Sequence, residues 1–397
     1  MTSKNWPNGF AVACAAISLL TGGLAAQTPA PKTPAIAVVD AADAVQWQNL
    51  TRELGWVVLS AEVPANTAPD ARVLALAAKV EAAIKAGTVD PARIYLAGRG
   101  EASSLVFYTI SRVPDLWAAG VAVGGSPKAA IDTGRIYAAN FTNAPVLWVS
   151  GEEGKELAGK LKAAKLNLEW RPAASGGSAA SVIEWLAAHQ RDAFPREIDC
   201  ETNSPQLARC YWIQMTKFDP NERNDVLEPT RIPGSNGAAL DLGGFGFKLE
   251  DPGPGVLVSF LPEKYNGPLK LNDRIVTLDG RPIPDVKEYL ELLEKFTEDK
   301  AAVVGVQRGK DRIRIETHVV LPRRDAGVTA RVEAQYLPAE KEIQIVSRTA
   351  TEMRVTVPAD WLPASVLWNG LTLESIKEPG CWLLSMQKEL LRAEKCK

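Results

Sequence analysis

From residue 35 to about residue 195, short apolar runs alternate with amphipathic stretches. The runs AIAVVD (35–40), WVVLSAEV (56–63), RIYLAG (93–98), AAGVAVGG (118–125), PVLWVSG (145–151) and LNLEWRP (166–172) are apolar at consecutive positions, the pattern of strands buried on both faces. Between them, residues 70–87 place Val73, Leu76, Ala77, Val80 and Ile84 on one helical face, and Gly87 follows as a C-cap glycine would. ASVIEWLAAHQRDAFP (180–195) reads as a closing amphipathic helix running into Pro195. Strands alternating with helices predict a mostly parallel sheet covered on both faces.

Beyond Pro195 the period changes from helical to two. Segments 196–235 and 323–397 carry alternating text such as ARCYWIQM (208–215), EIQIVSR (342–348) and EMRVTVP (352–358), with WNGLTL (368–373) as a hairpin turn. They predict a β-rich domain. Segment 236–322 has its own order: a Gly/Phe loop GGFGFKLE (243–250) feeding a strand, the strand GVLVSFLP (255–262), and strand–turn–strand in LNDRIVTLDGRPI (271–283). The helix DVKEYLELLEKF (285–296) and the strands AAVVGVQR (301–308) and IRIETHVVL (313–321) close it.

Composition bounds the rest. The chain of 397 residues is 46% hydrophobic and 23% charged, an ordinary globular balance long enough for about two or three domains. Lys+Arg 45 against Asp+Glu 47 leaves a net charge of −2, which gives no basic surface for nucleic acid. FAVACAAISLL (10–20) followed by the small residues TGGLAA (21–26) predicts an export signal cleaved near Ala26, against the alternatives of an uncleaved anchor or a lipid site at Cys14. A Pro-rich spacer, 27–35, would follow, and no membrane span would remain after cleavage. The other four cysteines fit two disulfides in an exported chain, and sequence proximity favours Cys200–Cys210 and Cys381–Cys396 among the three connectivities. With two histidines and no C-x-x-C, the sequence calls for no metal and no cofactor.

The block 236–322 resembles a PDZ domain: GFGF before a strand, GPLKLNDRIVTLDGRPI in the middle, then one helix and two strands. That resemblance implies a loop at Phe245–Gly246–Phe247 whose N–H groups take a peptide's terminal carboxylate. It also implies a groove between the strand Lys248–Leu249–Glu250 and the helix 285–296. Gly246 supplies backbone freedom, Phe245 and Phe247 an apolar socket, and the exposed strand edge a place for an added strand. Lys248 suits an acidic ligand residue.

The first domain resembles the α/β-hydrolase superfamily, in particular secreted esterase and oligopeptidase-like members. RIYLAGRGEAS carries the nucleophile turn, DLWAAGVAVGG (115–125) the next strand, PVLWVSGEEG (145–154) the acid-bearing strand and loop, and IEWLAAHQRDAFP (183–195) the closing helix. The family's first strands are missing. The β-rich segments resemble the small tail domain of some secreted members, with the PDZ-like block inserted in it. In such enzymes G-x-S-x-G presents a serine, a histidine removes its proton and a carboxylate orients the histidine. Here the five positions are Gly98, Arg99, Gly100, Glu101 and Ala102, so glycine stands where the serine belongs. The stretch 171–181, where the family's histidine belongs, contains none. Glu152 or Glu153 fills the acid's place.

The sequence therefore predicts a degenerate α/β hydrolase with an inserted PDZ domain and a β-rich C-terminal domain. Its expected function is that of an exported, non-catalytic scaffold whose PDZ domain captures peptide or protein C-termini, or extended peptide segments, on a pseudo-hydrolase platform. The alternative is an esterase or peptidase using Ser103, Ser104 or Ser126. A third reading is a small-molecule binder using the old cleft.

Overall fold

The computed structural model describes residues 32–397, apart from 65, 225, 233, 235–236, 322–326, 388–389 and 397. The predicted signal and most of the spacer lie outside the described residues. Six parallel strands, β1 (Ala35–Val38), β2 (Val57–Ser60), β3 (Ile94–Arg99), β4 (Ala119–Val123), β5 (Val146–Ser150) and β6 (Leu168–Pro172), lie in the order β2-β1-β3-β4-β5-β6. Alternate residues face opposite layers. Ala35 and Ala37 pack with α2 (Pro69–Lys85), α3 (Ser103–Arg112) and α5 (Gly154–Ala163); Ile36 and Val38 pack with α1 (Ala44–Thr51) and α7 (Ala179–Ala187). Two short helices, α4 (Lys128–Asp132) and α6 (Ala173–Gly176), follow β4 and β6. Burial on both faces is why these strands read as unbroken apolar runs.

The closing helix is shorter than its periodicity predicts. It stops at Ala187, and His189 lies beyond it. The chain is pulled off the helical path by Arg191, whose N–H donates to Ala92 O and whose Nε donates to Asp115 O.

The ARCYWIQM text forms a tight hairpin: β8 (Arg209–Cys210) pairs with β9 (Ile213–Phe218) across Tyr211, whose φ is +54°, while β7 (Glu197–Thr202) precedes it. The described residues of 219–232 form no strand beyond the single bridge of Arg231 with Tyr137. They run as a strap, with Thr230 O accepting from Ala138 N and Ile136 O from Ile232 N.

The block that follows has its own core, from Ala238 to Val319. Its strands β10 (Ala239–Leu240), β11 (Val256–Leu257), β12 (Arg274–Leu278), β14 (Lys300–Arg308) and β15 (Asp311–Val320) lie in the order β10-β15-β14-β12-β11. β13 (Arg281–Pro282) folds back on β12, and α8 (Val286–Glu294) crosses between. The expected strand 248–250 is absent. A single bridge, Gly246 to Phe260, marks where it would start, and the chain turns at 249–250. Asp251, fastened by Arg274 (Nη1–Oδ1 2.8 Å) and accepting from Gly253 N, holds that turn and stops the ladder.

The chain then returns through β16 (Ala330–Leu337), β17 (Glu342–Arg348), β18 (Ala350–Val357), β19 (Ala364–Trp368), β20 (Leu371–Ile376), β21 (Gly380–Gln387) and β22 (Leu390–Lys395). Two five-stranded sheets, β20-β19-β17-β16-β7 and β22-β21-β18-β9-β8, share one apolar core, so 197–218 and 330–395 build one sandwich around the block. Asn369 and Gly370, both at positive φ, make the two-residue turn between β19 and β20. The disulfides are Cys200–Cys210 and Cys381–Cys396. Glu201, 1% exposed, joins the strap to the sandwich. It accepts from Thr230 N (2.6 Å) and Oγ1 (2.7 Å), from Arg348 Nη2 (3.2 Å) and from Thr329. Among the described residues no helix is long and apolar enough to cross a membrane; this and the two disulfides are compatible with an exported protein.

Candidate functional site

The chain leaves β3 at Arg99 and turns at Gly100, φ +52°, through a short 3-10 turn into α3. Gly98 makes that bend close-packed. A Cβ there would stand 2.7 Å from Ala102 O, 2.8 Å from Val39 Cγ2 and 2.9 Å from Val106 Cγ2. Gly100 differs: a Cβ on it would meet nothing within 4 Å. The turn thus points its central position into open space with no side chain on it. Gly124 and Gly125, both at positive φ, bring the loop after β4 alongside, and a Cβ on Gly125 would run into the Gly100 carbonyl.

The neighbouring groups are committed elsewhere. Ser103 is buried and donates to Val123 O (3.1 Å); Ser104, 8% exposed, donates to Glu101 O (3.0 Å). Ser126 is exposed, and its Oγ accepts from Lys128 N (3.2 Å). Glu152 and Glu153 are exposed, and the Glu153 carboxylate lies over Gly151. In the stretch 171–181, Arg171 donates from Nε to Glu169 and from Nη1 to Ser181 Oγ.

Neither histidine is at the turn. His189 packs on the Trp185 ring (centroids 4.3 Å) with Nδ1 2.7 Å from Trp185 O, and its carbonyl accepts from Tyr95, at the start of β3. Burial pushes the Tyr95 phenol up to about 12. His318 is exposed on β15 of the block.

In the block, Gly243 (φ +80°) and Gly244 (φ +75°) swing the chain into Phe245–Gly246–Phe247. Tyr265 pins the loop, donating to Leu242 O (2.7 Å) and accepting from Leu269 N (2.9 Å). Gly246 N donates to Phe260 O (2.8 Å), while the N–H groups of Phe245 and Phe247 make no hydrogen bond among the described residues. Phe247 sits edge-on to Tyr289 of α8 (5.9 Å, 89°), and Phe245 lies 5.9 Å from Phe247. Burial raises the Tyr289 phenol, which stays neutral. Phe247 therefore meets α8 with Phe245 packed beside it, while Gly246 pairs with Phe260. Lys248 and Leu249 do not join them: both are exposed, Leu249 at 68%, on the turn that replaces the strand. The sequence reading did not single out Tyr265 and Tyr289; for Tyr289 the signal was its place with Val286, Leu292 and Leu293 on the apolar stripe of α8. A cavity of about 420 Å³ lies at the far end of that helix, lined in part by Leu278, Asp279, Leu292, Phe296 and Lys300.

No protein-family model matches the chain, and no curated protein matches it. Among solved structures it is similar to a thermostable esterase (17% identity over 40% of this chain and 55% of that one, TM-score 0.31). It is also similar to an esterase of the bacterial hormone-sensitive lipase family (17%, 36% and 68%, 0.29) and to a bacterial heroin esterase (16%, 41% and 75%, 0.30). The chain thus spans little more than half the length of the first of these. Such values carry no argument about activity. The chain itself shows a six-stranded parallel sheet covered by helices on both faces, together with further β-rich sheets.

Proposed function

We propose that this chain is an exported, non-catalytic binding protein that captures the C-terminal ends of peptides or proteins on its inserted, PDZ-like block, with the hydrolase-like unit as a platform. The observation that carries the first half is Gly100: the position that would hold a nucleophile has no side chain, and both histidines sit elsewhere. The second half is supported by the N–H groups of Phe245 and Phe247, which make no hydrogen bond among the described residues, and by the aromatic contact of Phe247 with Phe245 and Tyr289 beside them. Unpaired backbone N–H groups in a glycine-rich loop favour an anion, and an apolar terminal side chain suits the neighbouring aromatic rings. The block is titrated with a library of C-terminal peptides and with the same peptides amidated. Loss of binding on amidation supports the carboxylate loop, and equal binding by both forms removes it.

A second reading is ester hydrolysis. Ser126, exposed on the loop beside the open turn, is its candidate nucleophile. Labelling by a fluorophosphonate that disappears in Ser126→Ala, Ser103→Ala or Ser104→Ala would establish it.

A further inference from the structure

Among the described residues, the block's apolar cluster runs from Ala238 to Val319, and the clusters of the parallel sheet draw on none of those residues. One tie between α8 and the α/β unit is an ion pair. Lys128, at the start of α4, lies 3.3 Å from Glu294, at the end of α8, and both side chains are half-exposed. Beside them, α5 carries the pair Glu156–Lys160 (2.7 Å) and α8 the pair Lys287–Glu291 (3.7 Å). The fields of these helices reach one another, with Lys287 favouring the charged form of Glu156 and Glu294 that of Lys160.

We propose that Lys128–Glu294, flanked by these two pairs, is an electrostatic latch that docks the inserted block beside the open turn and lets it swing away when the charges are screened or reversed. Domains joined by small polar contacts move relative to one another unless an extensive apolar interface prevents it. Exposed ion pairs hold weakly, so docked and released forms lie within reach of each other. The latch sits where its release matters. Lys128 N is bonded to Ser126 Oγ, in the loop whose Gly125 abuts Gly100, so the latch is anchored on the loop that flanks the turn. This holds whatever the block binds.

The test uses a carbodiimide, which joins a lysine amine to a carboxylate in direct contact, and small-angle scattering of the full chain. At about 0.01 M salt, where charges are felt over about 30 Å, the wild-type chain should give the Lys128–Glu294 cross-linked peptide and a compact scattering profile. At about 1 M, where screening falls to about 3 Å, the cross-link yield should drop roughly two- to fivefold and the radius of gyration should rise. Lys128→Glu should expand the chain at low salt with an unchanged melting curve. The double exchange Lys128→Glu/Glu294→Lys should restore compactness. An unchanged radius in Lys128→Glu and at high salt overturns the proposal, as does a folded double exchange that stays expanded.

Discussion

Gly98 and Gly100 lie two residues apart in one turn, yet the structure assigns them different reasons for being glycine, and alanine at each separates those reasons. At Gly98 the added Cβ would meet a backbone oxygen at 2.7 Å and two valine methyls at 2.8 and 2.9 Å, so all three must retreat by about half an ångström or more. The oxygen belongs to Ala102, at the start of α3, and moves only with the helix. Overpacking of this kind costs about 1–3 kcal/mol, and three simultaneous clashes place Gly98→Ala near 3 kcal/mol. At Gly100 no atom obstructs the Cβ, and what remains is the left-handed backbone, φ +52°, at about 1 kcal/mol. The entropy that alanine removes from the unfolded chain is the same in both variants and cancels. Urea unfolding, with hydrogen exchange of β3–α3 peptides reporting that layer, should therefore find Gly98→Ala less stable than Gly100→Ala by about 2 kcal/mol. Equal losses, or the reverse order, would refute the assignment of Gly98 to packing and Gly100 to backbone shape.

Other positions give further expectations. Replacing Cys200 and Cys210 by serine opens a link spanning 10 residues of sequence and should lower the stability of the sandwich by about 2–3 kcal/mol in calorimetry, with little change in the parallel sheet. Asp273, 1% exposed, accepts from Arg308 Nη2 (2.7 Å) and Nε (2.8 Å) and from Lys270 N. Burial opposes its ionisation, but these donors outweigh it and hold the carboxyl below its usual range. A depressed carboxyl stabilises above its unfolded value, near 3.9, and that stability is lost as pH falls through the lower folded value. Asp273→Asn should therefore cost the block about 2–3 kcal/mol at neutral pH, a gap to the wild type that closes in acid titrations. Trp361 stacks on Tyr336 (4.3 Å) and meets Trp212 (5.2 Å) and Phe194 (6.1 Å) edge-on, so Trp361→Ala should remove about 3–5 kcal/mol from the sandwich in urea melts.

The strands of the parallel sheet were legible because burial on two faces demands consecutive apolar residues, and Asn369–Gly370 because a two-residue turn demands positive φ at both positions. The disulfide pairs followed from proximity along the chain. What the sequence hid is tertiary. The apolar period of 180–195 continues past Ala187, but the tie of Arg191 to Ala92 and Asp115 ends the helix there. GFKLE alternates like a strand, yet Arg274, distant in sequence, fastens Asp251 and bends the chain. At the turn, the missing side chain at Gly100 was plain from the five residues themselves. That the space above it is open was not, because it depends on where Gly124, Gly125 and the loops around them come to rest.

The reading as a binding protein is tested most directly by turnover of p-nitrophenyl acyl esters by the purified chain at neutral pH. The expected rate equals that of buffer and does not change in Ser126→Ala. Steady turnover abolished by a single substitution within residues 36–195 would contradict it.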